Sequence, residues 1–233
     1  MKEKLLRAVD DARARESEMA AMVVDAPANA DGSWNAKDHL AHVSWWRWRT
    51  AQTMDAVRTG SELPPPTPDN GDVQNAIIYA EVRDLPAGEV KADARKSWDA
   101  LRKAIDASSE EDLAKQHPRQ TDSQMWESVP GAIGHAGTHV WSLFLDIGDE
   151  ARAIDVARWS AEIEGRFFTR PEQLADSRYN LACAYSRLGR PAEALPLLRE
   201  SFAAKPDLVA HARKDTDLDR IREDPGVKEL LSS

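Results

Sequence analysis

Apolar residues return every three or four positions through most of this chain, and that spacing restricts it to helices. Leu5, Val9, Ala12, Met19 and Val23 fall on one stripe, which Glu16 interrupts. Val90, Ala94, Trp98, Leu101 and Ile105 fall on another. A 3.6-residue helix presents one face at this period, whereas a half-buried strand alternates every second residue. No run of such alternation is long enough to define a strand. Breakers separate the stripes. Asp25-Ala26-Pro27 ends a first helix over about 2–24. Asn35 is a good N-cap, and Asp38 three positions on comes close to capping-box form. The second helix it opens runs to about Arg58, with Gly60 as the stop. The loop Glu62–Gly71 holds Pro64, Pro65, Pro66 and Pro68 and stays extended. A short helix from Val73 to Arg83 follows, and Pro86 opens a third long one. Ser108 or Ser109 caps a short turn, and 115–127 reads as polar and irregular. Ser128 caps a fourth long helix with Pro130 in its first turn, and Gly148 ends it. These features predict an all-α, up-down four-helix bundle over residues 1–148.

Residues 149–233 form a separate helical module in this reading. The segment Tyr179–Leu195, followed by Pro206, resembles a tetratricopeptide repeat. Leu181, Ala182, Tyr185, Ala194, Leu198 and Pro206 stand where that repeat interlocks large and small residues of two helices. One full unit is recognisable. The resemblance implies a helical hairpin module that recruits a protein partner.

Composition narrows the function classes. With 233 residues the chain can bury a full core. The formal charge of −9 argues against a nucleic-acid binder relying on a general electrostatic footprint. Cys183 is the single cysteine, so no intramolecular disulfide forms. The N-terminus is charged from Lys2 onward and lacks a signal peptide's apolar run. No stretch is long and apolar enough to span a membrane. A cytoplasmic protein is expected.

Histidines and tryptophans carry the chemistry. His135 and His139 lie four positions apart on the fourth helix, so both imidazoles point to one side. His42, within Trp34–Trp46 on the second helix, would complete a three-nitrogen set with an open position, as a catalytic metal needs. His39 shares much of that face, as an outer group or as a replacement for His42. The chief alternative is a metal-free pocket with a histidine as general base. Trp45, Trp46 and Trp48 cannot all face one core, because successive helical residues are about 100° apart. Trp46, one turn beyond His42, is the pocket candidate. Trp126 would close over the mouth of the bundle. Asn75 and Tyr79, i,i+4 on the short helix, would hydrogen-bond a ligand or pin that helix down. Glu16 is a candidate acceptor for an imidazole N–H. Cys183 reads as a buried, inert thiol.

Trp34, the run Lys37-Asp38-His39-Leu40-Ala41-His42, Asn75–Tyr79, Trp98–Leu113 and Gly134-His135…His139 together resemble the DinB-like superfamily, most closely its DfsB branch, which includes a colibactin self-protection protein. The resemblance covers 1–148. It implies an up-down bundle with a long crossover, and a nickel or zinc ion held at His42, His135 and His139. It also implies a small electrophilic substrate, attacked by water in a hydrolase or by a low-molecular-weight thiol in a thiol S-transferase. Detoxification, stress response or self-protection is the implied setting. The competing expectation is a non-catalytic protein that sequesters a small molecule. The sequence leaves the oligomeric state open, a homodimer being one option.

Overall fold

The computed structural model describes residues 1–26, 29, 33–68 and 70–232. The expected stop at Pro27, and Asp69 of the proline loop, lie outside the described residues. The chain divides into two compact units, Met1–His139 and Val140–Ser233.

The first unit contains α1 (Lys2–Met22), α2 (Ala36–Thr59), α3 (Gly71–Val82), α4 (Ala87–Ala107), α5 (Glu110–Ala114), β1 (Gln116–His117) and β2 (Gln120–Gln124). It also holds the first part of α6 (Ser128–Asp146). The start of α2 is fixed as its sequence implies. The Asn35 side chain accepts the Lys37 and Asp38 N–H groups, and Asp38 reaches back to the Asn35 N–H. Gly60 ends α2 at φ 72, a left-handed conformation that a Cβ disfavours. α2 lies along α4, and α1 packs on both. Leu5, Leu40, Leu101, Ile105 and Ile133 are fully buried between the long helices.

The segment 115–127, expected to be irregular, instead holds an antiparallel hairpin with a register irregularity at Gln116/His117. A two-residue first strand is too short for alternation to show in sequence. The Met125 N–H donates to the Lys115 carbonyl at 2.8 Å, and the buried Met125 side chain anchors the hairpin before α6 begins.

The second unit holds the end of α6, then α7 (Glu150–Gly165), α8 (Pro171–Arg187), α9 (Pro191–Ala204), α10 (Leu208–Ala212) and α11 (Pro225–Ser232). α8 and α9 form a tight hairpin, with α7 against α8. Ala182, Tyr185, Ala194 and Leu198 are buried in it, and the Ser201 hydroxyl donates to the Ala175 carbonyl at 2.9 Å. Among the described residues no helix is long and apolar enough to cross a membrane.

Candidate metal centre

Two elements bring the histidines together. His39 and His42 stand on the first turns of α2, and His135 and His139 on one face of α6. His42, His135 and His139 each offer a ring nitrogen, all within 4.8 Å of one another. The His42 and His135 Nε2 atoms are 3.2 Å apart, and the His139 and His135 Nε2 atoms 3.0 Å. His139 also meets His39, Nδ1 to Nδ1, at 2.8 Å.

Hydrogen bonding alone does not explain this cluster. A neutral imidazole nitrogen has either one proton or one in-plane lone pair. The His135 Nε2 faces two other nitrogens, so it makes a good hydrogen bond with one of them and leaves the other opposed. Three lone pairs converging on one cation remove the conflict. Two nitrogens each about 2.0–2.1 Å from a tetrahedral zinc lie roughly 3.3–3.4 Å apart, close to the spacing here. The donor set therefore fits a divalent transition metal.

The environment holds the rings neutral, which metal binding requires. Burial, then the neighbouring His135 and His39, lowers His42 to about 3. Burial and the Arg47 charge lower His135 to about 4. His139 is driven well down by burial, with His135, His39 and His42 adding to it. The His139–His39 contact fits a tautomer in which His139 donates its Nδ1–H to His39, leaving the His139 Nε2 lone pair facing the other rings. Among the described residues the buried His42 Nδ1 has no hydrogen-bond partner.

Arg47 was not apparent from sequence. It is fully buried, paired through two nitrogens with the buried Glu16, and bonded to Ser97 and Ser44. Glu16 also accepts the Trp98 indole N–H at 2.8 Å. The glutamate offered as an imidazole acceptor therefore serves the guanidinium instead. An arginine two positions from Arg49 on a helix that also carries Arg58 reads as a surface group in sequence. Only the facing Glu16 on α1 makes it a core residue.

The tryptophans divide between faces. Trp34 packs against His39, His42 and His139, with ring centroids 4.9–5.7 Å away, and stacks on Tyr79 at 6.4 Å. Trp46 approaches His42 and His135 at 6.3 and 6.1 Å. It lines a cleft of about 510 Å³ with His135, Arg49, Thr67, Arg119 and Ser128. Trp45 and Trp48 turn to a second cleft of about 590 Å³, walled by the proline loop, where their indole N–H groups donate to Glu81 and Asp93. That cleft is larger, but it is lined by none of the histidines. Tyr79 reaches the site through Trp34. Asn75 is half-buried on α3, and neither it nor Trp126 is among the residues lining the His135 cleft. The Trp126 indole donates to Gln124 at 2.6 Å, beside the lining residues Glu127 and Ser128.

A second donor group, Cys183 with Asp215 and Asp217, is occupied otherwise. Asp215 accepts the Tyr179 hydroxyl at 2.7 Å and caps a short turn. Burial, then Asp215 and Asp217, keeps the Cys183 thiol protonated.

Residues 3–142 match the profile of the DinB superfamily, and the chain belongs to that family. A solved neighbour, the crystal structure of a mutant mycothiol-dependent maleylpyruvate isomerase, shares the fold. It is 13% identical with a TM-score of 0.51, and the match covers 80% of this chain and 90% of that one. No curated protein matches.

Proposed function

We propose that this chain is a metal-dependent enzyme of the DinB superfamily acting on a small electrophilic molecule, with His42, His135 and His139 as the metal ligands. The observation that carries this reading is the His135 Nε2 facing two other imidazole nitrogens at 3.0 and 3.2 Å, an arrangement a cation satisfies and hydrogen bonds do not. An all-imidazole set favours nickel or zinc over magnesium. A divalent ion there supplies Lewis acidity toward a nucleophile or toward the substrate.

The chain's own residues do the rest. His39 holds the His139 ring in the tautomer that leaves Nε2 available. Arg47, beneath the site, disfavours a protonated His135. Trp34 and Trp46 wall the centre and keep water from competing freely with a bound substrate. His42, the α2 ligand, closes the set against the cleft. Tyr79, stacked on Trp34, is proposed as an outer substrate contact together with Asn75 and Trp126.

For the nucleophile, the thiol-dependent structural neighbour supports a low-molecular-weight thiol, with water as the hydrolytic alternative. A role in detoxification or self-protection follows from such chemistry, and the DfsB-like assignment rests on the sequence motifs above. The α8–α9 hairpin, tetratricopeptide-like in sequence, is the proposed seat of a protein partner.

The test is incubation with a panel of epoxides and α,β-unsaturated carbonyls, with and without a low-molecular-weight thiol, followed by product mass. Addition of the thiol, addition of water, or isomerisation without mass change separates the reactions. Turnover should stop on chelation and return with zinc or nickel. Turnover indifferent to chelation overturns the metal-dependent reading. Stoichiometric retention of a compound without turnover overturns the enzymatic one.

A further inference from the structure

The cleft beside His135 is positively charged in a protein of net charge −9. Arg49 of α2 and Arg119 of the hairpin turn both line it. Arg49 donates to the Pro65 carbonyl and Arg119 to the Pro64 carbonyl, so the proline loop holds both guanidiniums at the cleft wall. Neither pairs with a carboxylate among the described residues. Burial, and then the charge of Arg119, lowers the Arg49 guanidinium from its usual value, the response of two cations sharing a partly desolvated space. The amino-terminal turn of α6 adds its partial positive charge, since Ser128 and Gly131 line the same wall. Glu127, the carboxylate among the lining residues, accepts the Gln124 N–H and offsets one of these charges.

Each guanidinium has five N–H donors, and the proline carbonyls use few of them. Two planar donor forks facing one space, backed by a helix terminus, match a carboxylate held bidentately. We infer that Arg49 and Arg119 form an anion subsite that binds a carboxylate of the reacting molecule, placing its electrophilic part toward His135 and the metal centre. The delivery rests on the proposed metal site; the anion recognition rests on the arginines alone. The carboxylate belongs to the substrate or to a thiol co-substrate, and both present the same chemistry to the arginines.

The probes are succinate, its neutral dimethyl ester and glutathione, titrated against tryptophan fluorescence, since Trp46 lines the cleft. Each is measured on zinc-loaded and on EDTA-stripped protein. Succinate or glutathione should bind saturably in both states, and the diester should not. Arg119→Gln and Arg49→Gln should each weaken anion binding roughly tenfold or more. Arg119 is exposed and Arg49 half-buried, so Arg119→Gln is the less disruptive of the two variants. Arginine dependence for succinate assigns the carboxylate to a substrate, and dependence for glutathione alone assigns it to the thiol. Absence of saturable anion binding, equal binding of the diester, or affinities unchanged by both substitutions overturns the inference. Arginine-dependent binding in a protein that takes up no metal leaves the subsite standing and removes the metal reading instead.

Discussion

His39 and His42 sit three residues apart on one turn of α2, yet they do different things. His42 faces the His135 Nε2, whereas His39 meets the far nitrogen of His139. His42→Ala should leave the bundle folded and remove most metal affinity, because two ligands on one helix chelate weakly without a third. His39→Ala should cost less, roughly the 10–100-fold typical of an outer partner. Metal occupancy of both variants decides. If His39→Ala loses the metal and His42→Ala keeps it, the ligand assignment on α2 is wrong. The same burial gives a pH signature in the metal-free protein. Unfolded, these histidines take up protons as pH falls through about 6.5. Folded, His135 waits until about 4 and His42 until about 3. In that window the unfolded chain holds more protons, so stability rises with pH and is lost on acidification from about 6.5 downward. The thermal midpoint of the stripped protein should drop steadily from pH 7 to pH 4, and His42→Asn should flatten that slope. A slope identical in both proteins would show that His42 is solvated.

At the scale of elements, the long helices were legible because periodicity and caps agreed. The Asn35–Asp38 box and Gly60 mark α2 in sequence and hold it in the structure. The i,i+4 pair on α6 was equally legible, since helical spacing alone puts His135 and His139 on one side. The β1–β2 hairpin was not, because polar strands of this length have no period to read. Arg47 was hidden for another reason: its burial depends on Glu16, Ser97 and Trp98 arriving from α1 and α4. No local pattern encodes that meeting, nor does one encode the convergence of Arg49 and Arg119 on one cleft. The buried pair makes its own prediction. Glu16→Ala strands a charge in the core and should destabilise by about 3–5 kcal/mol in chemical denaturation. The double variant Glu16→Leu, Arg47→Met should recover most of that loss. A Glu16→Ala protein as stable as the parent would mean that water reaches Arg47.

For the molecule as a whole, the family assignment rests on residues 3–142, and the site falls within that span. An ion held by His42 on α2 and by His135 and His139 on α6 ties together helices far apart in sequence. If the proposed ion binds there, mass action would stabilise the folded chain by about 2.7 kcal/mol at a free concentration 100 times Kd. Calorimetry should show a midpoint that rises with added zinc or nickel and falls with EDTA. Metal binding is tested by elemental analysis of the purified protein beside His42→Ala, His135→Ala and a control, His211→Ala, which changes an exposed histidine of α10, each checked for helicity. About one zinc or nickel ion per chain is expected in the parent and the control, and far less in the two folded ligand variants. A parent protein that binds no metal after reconstitution, or a His42→Ala protein that retains it in full, would rule out a metal centre at His42, His135 and His139.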